Sequence, residues 1–147
     1  MRPYLDAGYL LTLLVKTTGS VNANEWIRRL EGPVALNALH RFQAEVFLQQ
    51  LRKSQRSADR TKGAEALRLW ENYLAEGVFQ LTLVEWEAAF NLATSWSAYF
   101  VQPPPPPLLI LHPALAALAE ADHFFSFDPR SRAMGRALGL ELIPAEL

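Results

Sequence analysis

The chain has 147 residues, 50% of them hydrophobic and 20% charged, with a formal net charge of -1 and no cysteine. That length suits a single domain over residues 1–147, since a domain near this size buries roughly two thirds of its unfolded surface, and 11% aromatic residues argue against long disorder. Without cysteine there are no disulfides, thiolate zinc sites or thiol nucleophiles, and the near-neutral charge argues against a strongly basic nucleic-acid binder while allowing a local basic face.

In chain order, Pro3-Tyr4-Leu5-Asp6 reads as a short extended segment, followed by an apolar helix from Ala7 to Lys16. Its apolar run, Tyr9 to Val15, is far short of the roughly 20 residues of a membrane span. Asp6 and the single preceding Arg2 make a poor export signal, so a cytoplasmic location and no membrane partner are expected. Gly19-Ser20 breaks the pattern, and Ser20 or Asn22 caps a helix from Asn24 to Leu30 that stops at Gly32-Pro33. Val34-Ala35-Leu36 suits a buried parallel strand. A long helix is predicted from Leu39 to about Gln55, with Leu39, Phe42 and Val46 on its apolar face, and another from Ser57 to Ala75, closed by Gly77. Phe79 to Leu83 alternates like a strand, and Glu85 to Val101 reads as a helix.

The run Pro103–Pro107 holds five of the ten prolines and, as polyproline II, would extend roughly 15 Å. It reads as a rigid loop or as a ligand for a proline-reading module. Beyond it, a helix beginning near His112, with Pro113 in its first turn, continues through Ala114 to Glu120. His123 to Phe127 is a strand ending at Asp128-Pro129, Ser131 to Leu138 a helix stopped by Gly139, and Leu140 to Ile143 a last strand. Alternating strands and helices predict an α/β fold whose parallel sheet is covered on both faces.

Charge is uneven. Arg41, Arg52, Lys53, Arg56, Arg60, Lys62 and Arg68 outnumber Glu45, Asp59 and Glu65 between residues 41 and 68, whereas residues 69–129 contain no Lys or Arg. A basic helical hairpin suits a phosphate backbone, and the plain alternative is a solvated face with ordinary ion pairs. His40, His112 and His123 lack partners at zinc-ligand spacing, and the four tryptophans read as core or subunit contacts. Ligands of parallel sheets sit beyond the carboxyl ends of the strands, which singles out Asp6 and Asp128. Two such carboxylates suit Mg²⁺, although Asp after a strand is also a common helix N-cap.

Tyr4-Leu5-Asp6 opening a Leu-rich helix, Leu39-His40-Arg41-Phe42, and the stretch from Leu111-His112 through Ala121 to Asp128 and on to Gly139-Leu140 together resemble a PIN domain. The likeness spans essentially the whole chain and is strongest to VapC-like toxin ribonucleases. It implies a three-layer α/β/α sandwich with a central parallel sheet, and clustered acids holding Mg²⁺ or Mn²⁺ for RNA cleavage. It also implies RNA, an antitoxin-like protein and a second copy of the chain as partners.

Matched position by position, the first and fourth acids of the family correspond to Asp6 and Asp128, with Ser126 at the hydroxyl position before the latter. The second falls on Gln43 and the third on Leu109, three residues before His112. Ala7 and Gly8 stand where small hydroxyl residues are usual. Glu45, two residues from Gln43, would point about 200° away around a helix. Asp122 lies at the wrong end of its strand. The expected catalytic residues are therefore Asp6 and Asp128, which with Gln43, through its amide oxygen, are the expected metal ligands. Ser126 is a supporting residue, and Glu45 becomes one if the pairing slips by one or two residues. Arg41, Arg52, Lys53 and Arg56 are the expected nucleic-acid contacts. Two functions follow: a degenerate domain with weak or lost catalysis that binds RNA or protein, or an active Mg²⁺-dependent endoribonuclease working with a reduced acidic site.

Overall fold

The computed structural model describes residues 1–17, 20–98 and 106–146. In chain order the elements are β1 (Pro3–Leu5), α1 (Ala7–Leu14), α2 (Ser20–Arg28), β2 (Val34–Leu36), α3 (Ala38–Arg52), α4 (Ser57–Ala75), β3 (Phe79–Leu81), α5 (Trp86–Ser97), α6 (Pro107–Leu118), β4 (His123–Phe125), α7 (Pro129–Ala137) and β5 (Glu141–Ile143). They form two compact units, one of Met1–Asp6 with Val84–Leu147 and the other of Ala7–Leu83. Both are built on parallel strands, as the βαβ alternation predicts.

The first unit contains a three-stranded parallel sheet in the order β1-β4-β5. Central β4 pairs Tyr4 with Phe124 and Leu5 with Phe125 on one side, and Phe124 with Leu142 on the other. Phe124 and Phe125 are fully buried. The Phe124 ring stacks on Tyr4 at 6.0 Å between centroids, and the Tyr4 hydroxyl is hydrogen-bonded to Nδ1 of buried His112 at 2.9 Å. His112 is thus a packing residue bonded to a tyrosine. Helix α7 ends as its glycine predicts: Gly139 takes φ +77° and lets the Leu140 amide return to Gly135 O at 3.0 Å.

Helix α6 departs from expectation. It starts at Pro107, five residues before His112, and carries Pro113 in its interior. Pro107, at the first turn, has its φ preset and no amide to satisfy there. An internal proline costs about 3 kcal/mol. Burial of Ile110, Leu111 and Leu115, worth about 1.5–3 kcal/mol each, outweighs that cost. Leu109 is half-buried, and Leu108 is exposed. Pro103, Pro104 and Pro105 lie outside the described residues, so of the proline run only Pro106 and Pro107, leading into α6, are seen.

In the second unit β2 and β3 form a two-stranded parallel sheet, and α3 and α4 form a hairpin. The alternation expected across Phe79 to Leu83 ends at Leu81, and Leu83 is fully exposed. Asn37 caps α3: its Oδ1 accepts from the Leu39 and His40 amides, while its own amide donates to His40 Nδ1 at 3.1 Å. That arrangement is a capping box with histidine in the place of Glu or Gln. The buried stripe of α3 is His40, Ala44 and Leu48, with Leu39 beside it. Phe42 and Val46, expected on the apolar face, are 61% and 41% exposed. Helix α1 buries Tyr9, Leu10, Leu13 and Leu14, and the Tyr9 hydroxyl donates to Ala23 O of α2 at 3.2 Å.

Among the described residues no helix is long and apolar enough to cross a membrane.

Candidate functional site

Asp6 and Asp128 follow adjacent, paired strands of the three-stranded sheet and therefore lie at the same end of it, the carboxyl end. Asp6 is 5% exposed, and its amide continues the ladder by donating to Phe125 O at 3.0 Å. Asp122 is at the opposite end. Its backbone and side chain bond Arg2, its carbonyl accepts from Glu141, and its carboxylate binds His123, so it takes no part in the candidate site.

Asp128 is the N-cap of α7. Its Oδ1 accepts from the amides of Arg130 at 2.8 Å and Ser131 at 3.2 Å, and its Oδ2 accepts from Arg130 Nη2 at 3.0 Å. Burial pushes this carboxyl up, but the Arg130 side chain, the two amides and the Arg130 charge together outweigh burial and hold it below the usual carboxylate range. Ser126, fully buried, accepts the Asp128 amide on Oγ at 3.1 Å. It thus fixes the turn from β4 into α7 and is not poised as a nucleophile.

The other expected site residues belong to the second unit or to α6. Gln43 is half-buried on α3, in the second unit. Glu45 is committed elsewhere: its Oε1 accepts from Arg41 Nε at 2.9 Å and from Trp70 Nε1 at 3.2 Å, tying α3 to α4. Arg41 is therefore ion-paired, and Arg56 lies 3.9 Å from Asp59. Arg52 and Lys53, at the end of α3, are exposed and make no ion pair among the described residues. Arg60 closes the hairpin turn by donating to Ser54 O and Gln55 O.

No protein-family model matches the chain, and no curated protein does either. The site's chemistry therefore rests on its own donors. Among the described residues no group of three or more His, Asp or Glu side chains is arranged to hold a metal ion. Asp128 already spends its oxygens on two amides and a guanidinium. Placing a dication beside it means displacing Arg130 or opposing that positive charge at close range. This donor set does not fit a tightly held resident Mg²⁺ or Mn²⁺.

Sequence reading missed Arg132 and Arg136, one turn apart on α7, the helix that leaves the carboxyl end of β4. The available signal was their spacing of four residues on a helix opening directly after Asp128.

The carboxylates set an acid limit on stability. Asp122 is lowered from 3.8 to about 2, chiefly by the hydrogen bond with His123 and then by the Arg2 amide. Asp128 is lowered as well. A depressed folded-state value stabilises the fold fully above the unfolded value and loses that contribution as pH falls through the folded one. The thermal midpoint should therefore decline from about pH 4 to about pH 2. Asp122→Asn should flatten part of that decline, and an unchanged slope would show that other groups control it.

Proposed function

We propose that this chain is a degenerate PIN-like domain, resembling VapC-like toxin ribonucleases, that binds RNA and cleaves it weakly or not at all. The reading brings with it the three-layer α/β/α sandwich of PIN domains and an antitoxin-like protein or a second copy of the chain as further partners. The observation that carries it is the state of the two surviving acids. Asp6 and Asp128 stand at the carboxyl end of adjacent parallel strands, where ligands of such sheets bind, yet Asp128 is neutralised by Arg130 and engaged in capping α7. Gln43 and Leu109 replace the other two acids of the resemblance. Metal-assisted phosphodiester cleavage requires carboxylates to place ions and activate water, and this site is poor in both. The active-ribonuclease alternative draws on the same two acids, with substrate phosphates completing the coordination of a weakly held ion.

Anisotropy of a labelled single-stranded RNA, together with gel assays in Mg²⁺ and in Mn²⁺, tests this directly. Salt-sensitive binding without cleavage is expected. Mg²⁺-dependent cleavage abolished by Asp6→Asn would establish the active enzyme instead, and an absence of binding would end the RNA reading. Within the binding reading, Arg52→Gln combined with Lys53→Gln should lower the salt dependence by about two phosphate contacts. Arg41→Gln should change it less, because Glu45 already neutralises Arg41.

A further inference from the structure

Arg132 is only 5% exposed. Its Nη1 donates to Ser126 O at 2.9 Å and its Nη2 to Ala145 O at 3.0 Å. Both partners are neutral carbonyls, and among the described residues no carboxylate pairs with this guanidinium. Arg136, one turn further along α7, is exposed and forms no ion pair among the described residues. Burial first, and the Arg136 charge second, push the Arg132 guanidinium below the usual arginine range. A buried cation next to a second cation is a costly arrangement unless an anion completes it.

The two arginines line a cavity of about 370 Å³ together with Pro129, Ala133, Ala145 and Glu146. Glu146 forms an ion pair with neither arginine. A guanidinium has five N–H donors in a rigid fork, so the two carbonyl bonds leave most of Arg132's capacity open. Two such forks on one helix face match the oxygens of a tetrahedral phosphate better than a single carboxylate. Pro129 follows Asp128 directly, and Ala145 lies two residues beyond β5. The cavity therefore lies between α7 and the segment after β5, and its Pro129 and Ala145 edge borders the carboxyl end of the sheet that Asp6 and Asp128 follow.

We propose that Arg132 and Arg136 form a phosphate subsite, filled by a backbone phosphate of an RNA strand lying across that end of the sheet. The identity of the carrier rests on the RNA reading above, whereas the chemistry of the cavity does not.

The full chain is titrated with inorganic phosphate, following the thermal midpoint against chloride at equal ionic strength, and with a labelled RNA hexanucleotide, following anisotropy. Arg136→Gln is the main variant because Arg136 is exposed and its side chain makes no hydrogen bond or ion pair among the described residues. Arg132→Lys keeps the charge and removes the fork. Phosphate should raise the midpoint of the wild type and not that of Arg136→Gln. The same substitution should weaken RNA binding about tenfold and lower the salt slope by about 1. Unchanged phosphate and RNA binding in both variants overturns the subsite while leaving the RNA reading standing. A phosphate response lost in Arg136→Gln, in a protein that binds no RNA, supports the subsite and overturns the RNA carrier. A response to an acidic peptide with none to phosphate overturns the proposal.

Discussion

Gly63→Ala should destabilise the protein by about 3 kcal/mol, at the upper end of ordinary overpacking. Gly63 lies in α4 where that helix crosses the end of α3. A Cβ there would fall 2.5 Å from the backbone nitrogen of Arg52 and 2.9 Å from its Cα. The atoms in the way are main chain, so no rotamer change relieves the overlap. Alanine is favoured over glycine inside a helix by only about 0.5–1 kcal/mol, too little to compensate. Gly135 offers the contrast, since a Cβ there would meet the side chains of Phe124 at 3.0 Å and Leu142 at 3.2 Å, which can shift. Urea unfolding should therefore rank Gly63→Ala well below Gly135→Ala. An unchanged midpoint for Gly63→Ala would mean that the hairpin end gives way freely. Because Arg52, Lys53 and Arg56 ride on that hairpin end, the same substitution should weaken RNA binding if they form its contact surface.

Phe124→Ala should cost about 4 kcal/mol, as full truncation of a buried aromatic does. Phe124 is on the central strand, fully buried, stacked on Tyr4 and close against Gly135. Removing the ring opens a cavity at the junction of β1, β4 and α7, the elements that carry Asp6 and Asp128. Phe42→Ala is the matched control: Phe42 is 61% exposed, and its truncation should change stability by no more than about 0.5 kcal/mol. Equal losses for the two phenylalanines, measured by urea unfolding, would contradict the assignment of the core.

The contrast between Phe124 and Phe42 also marks how far sequence reaches. Both are aromatic residues in apolar surroundings. In α3 the apolar residues support more than one stripe, and periodicity favoured the one through Leu39, Phe42 and Val46. The buried stripe runs through His40, Ala44 and Leu48, because His40 caps the helix with Asn37 and small Ala44 is wholly enclosed. A buried histidine and an alanine carry little hydrophobic signal, so only packing against other elements identifies that face.

What the sequence by itself determined is local. The alternation of short apolar segments with helices, the stops at Gly77 and Gly139, and the acids directly after β1 and before α7 follow from glycine's access to positive φ, from capping and from apolar patterning. The tertiary structure decided what depends on distant partners. It set the strand order β1-β4-β5, which places Asp6 and Asp128 at one end of one sheet. It also carried α6 through Pro113, because burial on both sides of the proline exceeds the cost of the lost hydrogen bond. The role of Asp128 changed in the same way: after a strand it reads equally as a metal ligand or a cap, and Arg130 with two α7 amides makes it a neutralised cap. Arg132 gave no sign of burial in the chain. Its guanidinium is drawn inward by Ser126 O and Ala145 O, which are 6 and 13 residues away in sequence and meet only once α7 and the segment after β5 have packed.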